Sequence, residues 1–485
     1  MSISSAFSSA LSGLTASSRM AEVTASNISN ALTEGYARRE AQLSARAIGT
    51  LGYGVAITGI SRHVNSVLVQ DLRLSSAGQG FQEARSGFLT TVEKTLGTPD
   101  EAGSLAGRIA ALERSLIEAA SRPDSEARLA TVADAATGLT LTLAATSSTL
   151  QTERQRADTR IAAQVAQVNQ ALQGIADLNT KIRIFSASGH ETLALKDQRQ
   201  QLVDQISSIV PVKEVARAHD EIALFTSGGT ILLEGRPAKL DFTPTGVITP
   251  DMTLASGALS GLTVNGQPLS TSPSGGRLGA GSLAAQFDIR DRLAPEAQAQ
   301  IDGLARDLVE RFSAPGLDPT LAPGAPGLFT DGGGAFNAAN EAGLASRLRL
   351  NANVQPELGG ALWRLREGLG AATPTAPGAP GQLPEWSAAL MLLRVPASGN
   401  LGDGARSFAS VASDMTSSVS VKRLGAVSES AFAAARSSDI RSELLRDGVD
   451  TDVELQSLMQ IEKAYAANAK VIQTVDDMLA QLLGI

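Results

Sequence analysis

The C-terminal stretch constrains this chain most. Leu458, Ile461, Tyr465, Asn468, Ile472, Val475, Leu479 and Leu482 recur at 3-4-3-4 spacing without a slip. That is the pattern of a helix seated along a neighbouring helix. Ala464, Val471 and Met478 widen the stripe, and a strip so broad suits contact with more than one neighbour. Thr451 and Glu454 match a capping box at its start. Asn468 replaces an apolar residue in the seam. It reads either as a buried Asn that specifies register or as a partly exposed Asn on the helix edge. Such a helix is not self-sufficient. Ordering costs about 1.5 kcal/mol per residue, and its seven apolar seam residues contribute only about 10–20 kcal/mol even if fully buried.

The other end reads similarly but more thinly. Residues 1–33 form a helical pattern in which Ile3, Phe7, Ala10, Leu14, Ala21 and Ile28 recur at helical intervals, on a face filled mostly by Ser and Ala. Asn27, Asn30 and Gly35 mark the exit and turn. Neither end carries enough apolar surface to hold itself. Both are expected to be largely unfolded in the free chain and to fold together on assembly.

The composition excludes much. The chain has 485 residues, no Cys, three His and a formal charge of −8; at roughly 150 residues per domain it allows about three domains. An acidic chain lacks the basic footprint of a nucleic-acid binder. Without Cys there are no disulfides, thiolate nucleophiles or Cys-based metal sites. The uncharged first 18 residues lack the basic region of a secretory signal. Ala135–Thr152 is uncharged until its end but too rich in Thr and Ser to read as a membrane span.

Between the ends the pattern is mainly helical with a β-rich insert. A strand is expected around Val55–Ile60. From Phe81 to Ser186 the chain is helical, broken at Pro99 and Gly103 and restarted after Pro123. Ile161, Val165, Val168, Leu172, Ile175, Ile182 and Phe185 keep a spacing near 3.5 in one long helix. Leu193–Ile209 runs back along it as the second arm of a helical hairpin. The period then changes to short strands at Val212–Val215, Ile222–Thr226, Thr230–Leu233, Lys239–Phe242 and Leu262–Val264. Helix resumes at Ser282–Phe312. Pro/Gly-rich loops cover Pro315–Gly327 and Thr373–Pro384, and Asn400–Ser438 is a Ser/Ala-rich helix.

Candidate chemistry is sparse. The glycines at 275, 276, 279 and 281 match neither a phosphate loop nor GxGxxG. His63, His190 and His219 lack zinc-site spacing. Asp447, Asp450, Asp452 and Glu454 do not have the order of a calcium loop, and acidic residues suit a helix N-terminus. No catalytic residue, metal site or cofactor is expected, and the chain is not read as an enzyme.

Several segments carry a resemblance. Ala10-Leu-Ser-Gly-Leu14, Ala25-Ser-Asn-Ile-Ser-Asn30 and Thr33-Glu-Gly-Tyr-Ala-Arg38 resemble the N-terminal signature of bacterial flagellar rod, hook and hook-associated proteins, with Glu34 where Pro is usual. Ala464-Tyr-Ala-Ala-Asn-Ala-Lys-Val-Ile472 is similar to the C-terminal helix of the same superfamily. Ile175–Ile182 with Leu195–Ser207, and Gly281–Asp291, are similar to the hook-associated members at the hook–filament junction, whose long helical hairpin rod and hook proteins generally lack.

The resemblance implies a structural, secreted protein of the flagellum, serving motility and exported through the type III channel without a cleaved signal. It implies an axial coiled coil in which 1–35 pairs with 450–485. It further implies a helical domain at 36–211, an outer β domain at 212–281 and a return to helix at 282–449. The implied partners are the hook protein, a second junction protein (hook-associated protein 3), further copies in a helical oligomer, and an export chaperone on the last helix. No nucleic acid and no membrane insertion are implied. The assembly residues would be Ile3, Phe7, Leu11, Leu14, Ile28, Leu458, Ile461, Tyr465, Asn468, Ile472, Val475 and Leu479. Asn27, Asn30, Gly35 and Tyr36 would fix the turn. The alternatives are a hook or distal-rod axial protein and, from another class, a secreted peptidoglycan hydrolase with paired carboxylates.

Overall fold

The computed structural model describes residues 3–33, 35–48, 51–375 and 378–484. The substitution at Glu34 lies outside them. In chain order the elements are α1 (Ile3–Ser29), β1 (Arg38–Ile48), β2 (Leu51–His63), α2 (Ser66–Leu96), α3 (Leu105–Ser121), α4 (Glu126–Ala187) and α5 (Leu193–Ser207). Short strands follow: β3 (Val212–Ala216), β4 (Ile222–Thr226), β5 (Ile231–Glu234), β6 (Arg236–Pro237), β7 (Leu240–Asp241), β8 (Thr263–Val264) and β9 (Gln267–Pro268). Then come α6 (Ser282–Asp288), α7 (Ala294–Phe312), β10 (Phe329–Asp331), α8 (Leu344–Arg347), β11 (Leu348–Leu350), α9 (Arg364–Glu367), α10 (Leu383–Met391), α11 (Phe408–Arg446) and α12 (Thr451–Leu483). The chain is mainly α with small sheets, and its longest helices include those at and near the two ends.

Two compact units form. One comprises residues 1–79, 167–239 and 433–485; the other comprises 80–166 and 240–432. The strand-rich stretch 212–281 is divided between them. β3–β6 make a four-stranded antiparallel sheet in the first unit, and β7–β9 a three-stranded one in the second. The strand at 55–60 belongs to a longer antiparallel hairpin, β1–β2, with Arg38 opposite His63 and Arg39 opposite Arg62.

In the first unit the helical hairpin is held by buried polar groups. Asn179 on α4 takes hydrogen bonds at Oδ1 from the Arg199 guanidinium of α5 (2.8 Å) and the Ile222 amide of β4 (3.3 Å). Its Nδ2 donates to the Ile222 carbonyl (2.9 Å). Arg73 on α2 pairs with Asp204 of α5 (2.6 Å) and Glu214 of β3 (2.7 Å). The predicted seam residues Val168, Leu172, Ile175 and Ile182 are buried, while Phe185 lies exposed near the hairpin tip, stacked on His190.

The second unit holds a core built from α3, the first part of α4, α7, α10 and the start of α11. Phe312 stacks on Trp386 (5.6 Å) and meets Phe329 edge-on (5.0 Å). By length and composition α4 could cross a membrane. Here its Leu139, Leu143 and Leu150 are fully buried in this core. Buried arginines replace missing aromatic mass. Arg154 donates to the carbonyls of Thr249, Met252 and Arg290, and Arg290 pairs with Asp158, both side chains fully buried. The expected single helix 282–312 is interrupted by a π-helical turn at Ile289–Leu293. Such a turn widens the helix, and it contains the Arg290 carbonyl that Arg154 uses.

Asp302 anchors α7 to α8. Its carboxylate accepts from the amides of Gly343 (2.7 Å) and Ala345 (2.9 Å) and from Gln298 (3.0 Å). Burial raises its carboxyl above the ordinary range, against the lowering effect of these donors. A raised acid binds its proton more tightly in the folded state, so its contribution to stability is complete below about pH 4 and declines as pH rises through the folded value. Asp302→Asn turns one acceptor oxygen into a donor facing a buried N–H. It is expected to destabilise the second unit by about 1–3 kcal/mol and to flatten the pH dependence of its melting above about pH 4, as read by calorimetry.

Candidate assembly interface

The two chain ends meet. α1 packs along α12 and beneath the β1–β2 hairpin. The small residues of α1 make this possible. Ser12 Oγ receives the Val55 amide (3.1 Å), and Gly54, at φ +93°, lies so close that an added Cβ would stand 2.0 Å from Ser12 Oγ. Gly54 is thus required both by its backbone conformation and by the approach of α1.

Asn27 is the centre of the arrangement. It is 1% exposed. Its Oδ1 accepts from the Tyr36 hydroxyl (2.9 Å) and the Arg39 amide (3.0 Å). Its Nδ2 donates to the Arg39 carbonyl (2.9 Å) and to Glu454 Oε2 (3.2 Å). Both donors and both acceptor sites of the side-chain amide are used. One residue therefore ties the end of α1 to the turn, to β1 and to α12. Glu454 is 2% exposed and pairs through Oε1 with Arg38 Nε (2.7 Å).

The hairpin root is fixed a second time. Arg39 and Arg62 face each other across the ladder and share Asp197 of α5, at 3.0 and 2.7 Å. The directly opposed like charges would repel; the buried carboxylate of Asp197 offsets that. The Arg39 guanidinium also lies 4.9 Å from the centre of the Tyr36 ring. Gly35 adopts φ +80° with Gln201 2.6 Å from where a Cβ would be. Asn30 acts locally: its Nδ2 donates to the Ser26 carbonyl (2.9 Å) and its Oδ1 takes the Thr33 hydroxyl (3.4 Å), closing the helix end.

The expected assembly residues divide by side. Ile461 and Val475 are buried, while Leu458, Asn468 and Ile472 on α12 and Ile3, Leu14 and Ile28 on α1 are half-buried. Phe7 (40%), Leu11, Tyr465 and Leu479 are exposed, as are Val471 (43%) and Met478 (48%) from the widening stripe. The broad stripe is therefore only partly covered within one chain.

The cap of α12 differs from expectation. Asp450, not Thr451, receives the first amides, those of Asp452 (2.9 Å) and Val453 (3.2 Å). Glu454 is drawn away from the cap to Asn27 and Arg38. The signal for this was in the sequence: counting back one heptad from Ile461 lands on Glu454, so it sits in the seam. The two ends, expected to pair as 1–35 with 450–485, pack on each other within one chain. The small face of α1 lets α12 come close enough that backbone and polar contacts substitute for large apolar area. Among the described residues no cluster of His, Asp or Glu is placed to hold a metal ion.

Comparison with known proteins agrees with this geometry. Residues 89–317 match the family profile of the flagellar hook-associated protein FlgK helical domain, and residues 445–485 that of the flagellar basal body rod FlgEFG protein C-terminal region. Flagellar hook-associated protein 1 of Salmonella typhimurium is 27% identical over 248 residues, covering 49% of this chain and 44% of that protein. The Bacillus subtilis protein of the same name is 26% identical over 233 residues, 46% of each. In the matched regions this chain is similar to the flagellar hook-associated proteins. The chain spans under half the length of these relatives in the matched regions. A solved structure, the flagellar hook junction protein FlgK from Burkholderia pseudomallei, aligns with TM-score 0.45 at 22% identity over 54% of this chain and 47% of that one. The C-terminal match covers all of α12.

Asn27→Ala would strand the Arg39 amide and carbonyl and one oxygen of Glu454, and leave the Tyr36 hydroxyl with Ser26 Oγ (3.3 Å). A loss of about 3 kcal/mol is expected in the first unit, since each buried group left unpaired costs about 1–3 kcal/mol and partial rearrangement recovers some of it. Glu454→Gln keeps the contact to Asn27 and should cost less. Denaturant melting of both variants, followed by hydrogen exchange in α1 and α12, measures the difference.

Proposed function

We propose that this chain is a structural subunit of the bacterial flagellum that forms the junction between hook and filament. The observation that carries the reading is the pairing of the two chain ends through Asn27 and Glu454, with large apolar residues left on the outside of the same helices. Phe7, Leu11, Val471 and Met478 are surfaces for neighbouring subunits. The relatives named as hook-associated protein 1 support the place of assembly.

The work is mechanical rather than catalytic. Subunits that meet through two different surfaces build an open helical tube when the rotation between them does not close a ring. α1 and α12 form the inner layer of that tube, corresponding to 1–35 and 450–485, and the rest of the chain lies around it. One axial face meets the hook protein, and the other meets a second junction protein, hook-associated protein 3. Further copies complete the layer. Export proceeds through the flagellar type III channel, with a chaperone covering α12 and its apolar stripe until secretion. The chain acts outside the cell, at the hook–filament junction.

Deletion of residues 451–485 tests this. It removes α12 and Glu454 but no part of the second unit. The truncated chain should keep the calorimetric transition of the second unit and be absent from isolated hook–filament shafts, and cells carrying it should be non-motile. Normal motility with the truncated chain would refute the reading.

A further inference from the structure

The pairing of α1 with α12 contains two polar points of contact. One is the hydrogen bond between Asn27 and Glu454. The other lies at Gly13, where a Cβ would stand 2.7 Å from both Nδ2 and Oδ1 of Asn468. Asn468 Nδ2 meanwhile donates to the Ala464 carbonyl of its own helix (2.9 Å), so its side chain is bent into one position against α1. In each pair the residue numbers add to 481, the signature of one antiparallel register. Asn27 and Gly13 are two heptads apart, as are Glu454 and Asn468. The layers between and beyond follow the same sum: Met20 with Ile461, and Ala6 with Val475. Ile461 and Val475 are buried.

We propose that Asn27–Glu454 and Gly13–Asn468 form a two-point register lock that selects one axial alignment of α1 against α12. The apolar layers alone would not choose. The seam of α12 repeats every heptad, and a slip of seven residues either way would still set Ile461 or Val475 against Gly13. The polar layers do choose. A slip in one direction places Asn27 against Ile461 and Asn468 against Met20, leaving the buried amide without its carboxylate and crowding Asn468. A slip in the other places Met20 against Glu454 and Asn468 against Ala6, again with a Cβ where the lock needs none. A single buried polar residue can set register in a coiled coil. Here one point is a hydrogen bond and the other a fit of bulk to gap. This inference concerns the chain's own ends and stands whatever they assemble with.

Cysteine pairs in the full chain test it, because the chain has no other Cys. Ala16→Cys with Tyr465→Cys reports the native register, and Ala16→Cys with Ile472→Cys reports a slip of one heptad. With the lock intact the native reporter should form at least about tenfold more disulfide at equilibrium with a thiol buffer, the ratio given by 1.4 kcal/mol of preference. Gly13→Leu should bring the two reporters close to parity. Gly13→Leu with Asn468→Ala, which moves the bulk from one helix to the other, should restore the native preference. Equal reporters in the unaltered chain, or an undiminished preference in folded Gly13→Leu, would overturn the lock. If Gly13→Leu loses its helicity by circular dichroism, the double variant decides: recovery of fold and preference supports the lock, and failure to recover rejects it.

Discussion

A buried side-chain amide holds the ends of this chain together. Asn27 uses all of its hydrogen-bonding capacity on three separate segments, the turn at Tyr36, the first strand at Arg39 and the last helix at Glu454. Hydrophobic area could not do this alone. The inner face of α1 is built mostly from small residues, Ala10, Gly13, Ala16 and Ser17 among them, which bury little apolar surface but permit close approach. Close approach lets short polar side chains satisfy one another across the gap, and an unmade bond there is costly because water cannot replace it.

The same economy of means recurs elsewhere. Only 4% of residues are aromatic, and the second unit fills its interior with arginines whose guanidinium groups gather carbonyls and carboxylates. Arg311 pairs with Asp307 (2.7 Å) and reaches the carbonyls of Ala389, Leu392 and Arg406. Planar, multiply donating side chains are well suited to joining irregular loops. They connect the Pro/Gly-rich segments to helices that apolar contacts alone would leave loosely attached.

Much of the architecture was legible in residue order. Heptad spacing located α12, the long arm of α4 and the return of α5, because a packed helix must repeat its apolar residues near that period. β4 fell on the expected residues. The hairpin β1–β2 was only half seen: β1 alternates Ala41, Leu43, Ala45 and Ala47 with polar residues, a weak signal because three of the four are alanine and Leu43 stays exposed. Glu454 was misread because a carboxylate near a helix start is ordinarily a cap. Only its burial beside Asn27 and Arg38 identifies it as a seam residue. The turn residues Asn27, Gly35 and Tyr36 do come together. The large apolar residues do not form one face, because α1 and α12 cover part of each other and leave the remainder outward.

That outward remainder is the surface that the proposed assembly would cover. Val471 and Met478 lie on the exposed side of α12, and Val475 lies on the side covered by α1. Thiol labelling of single variants, Val471→Cys, Met478→Cys and Val475→Cys, in the secreted free chain and in isolated hook–filament shafts, measures both sides at once. Positions 471 and 478 should react readily in the free chain and be blocked in the shaft, with 475 slow in both. Equal reactivity of 471 and 478 in the two states would contradict the account.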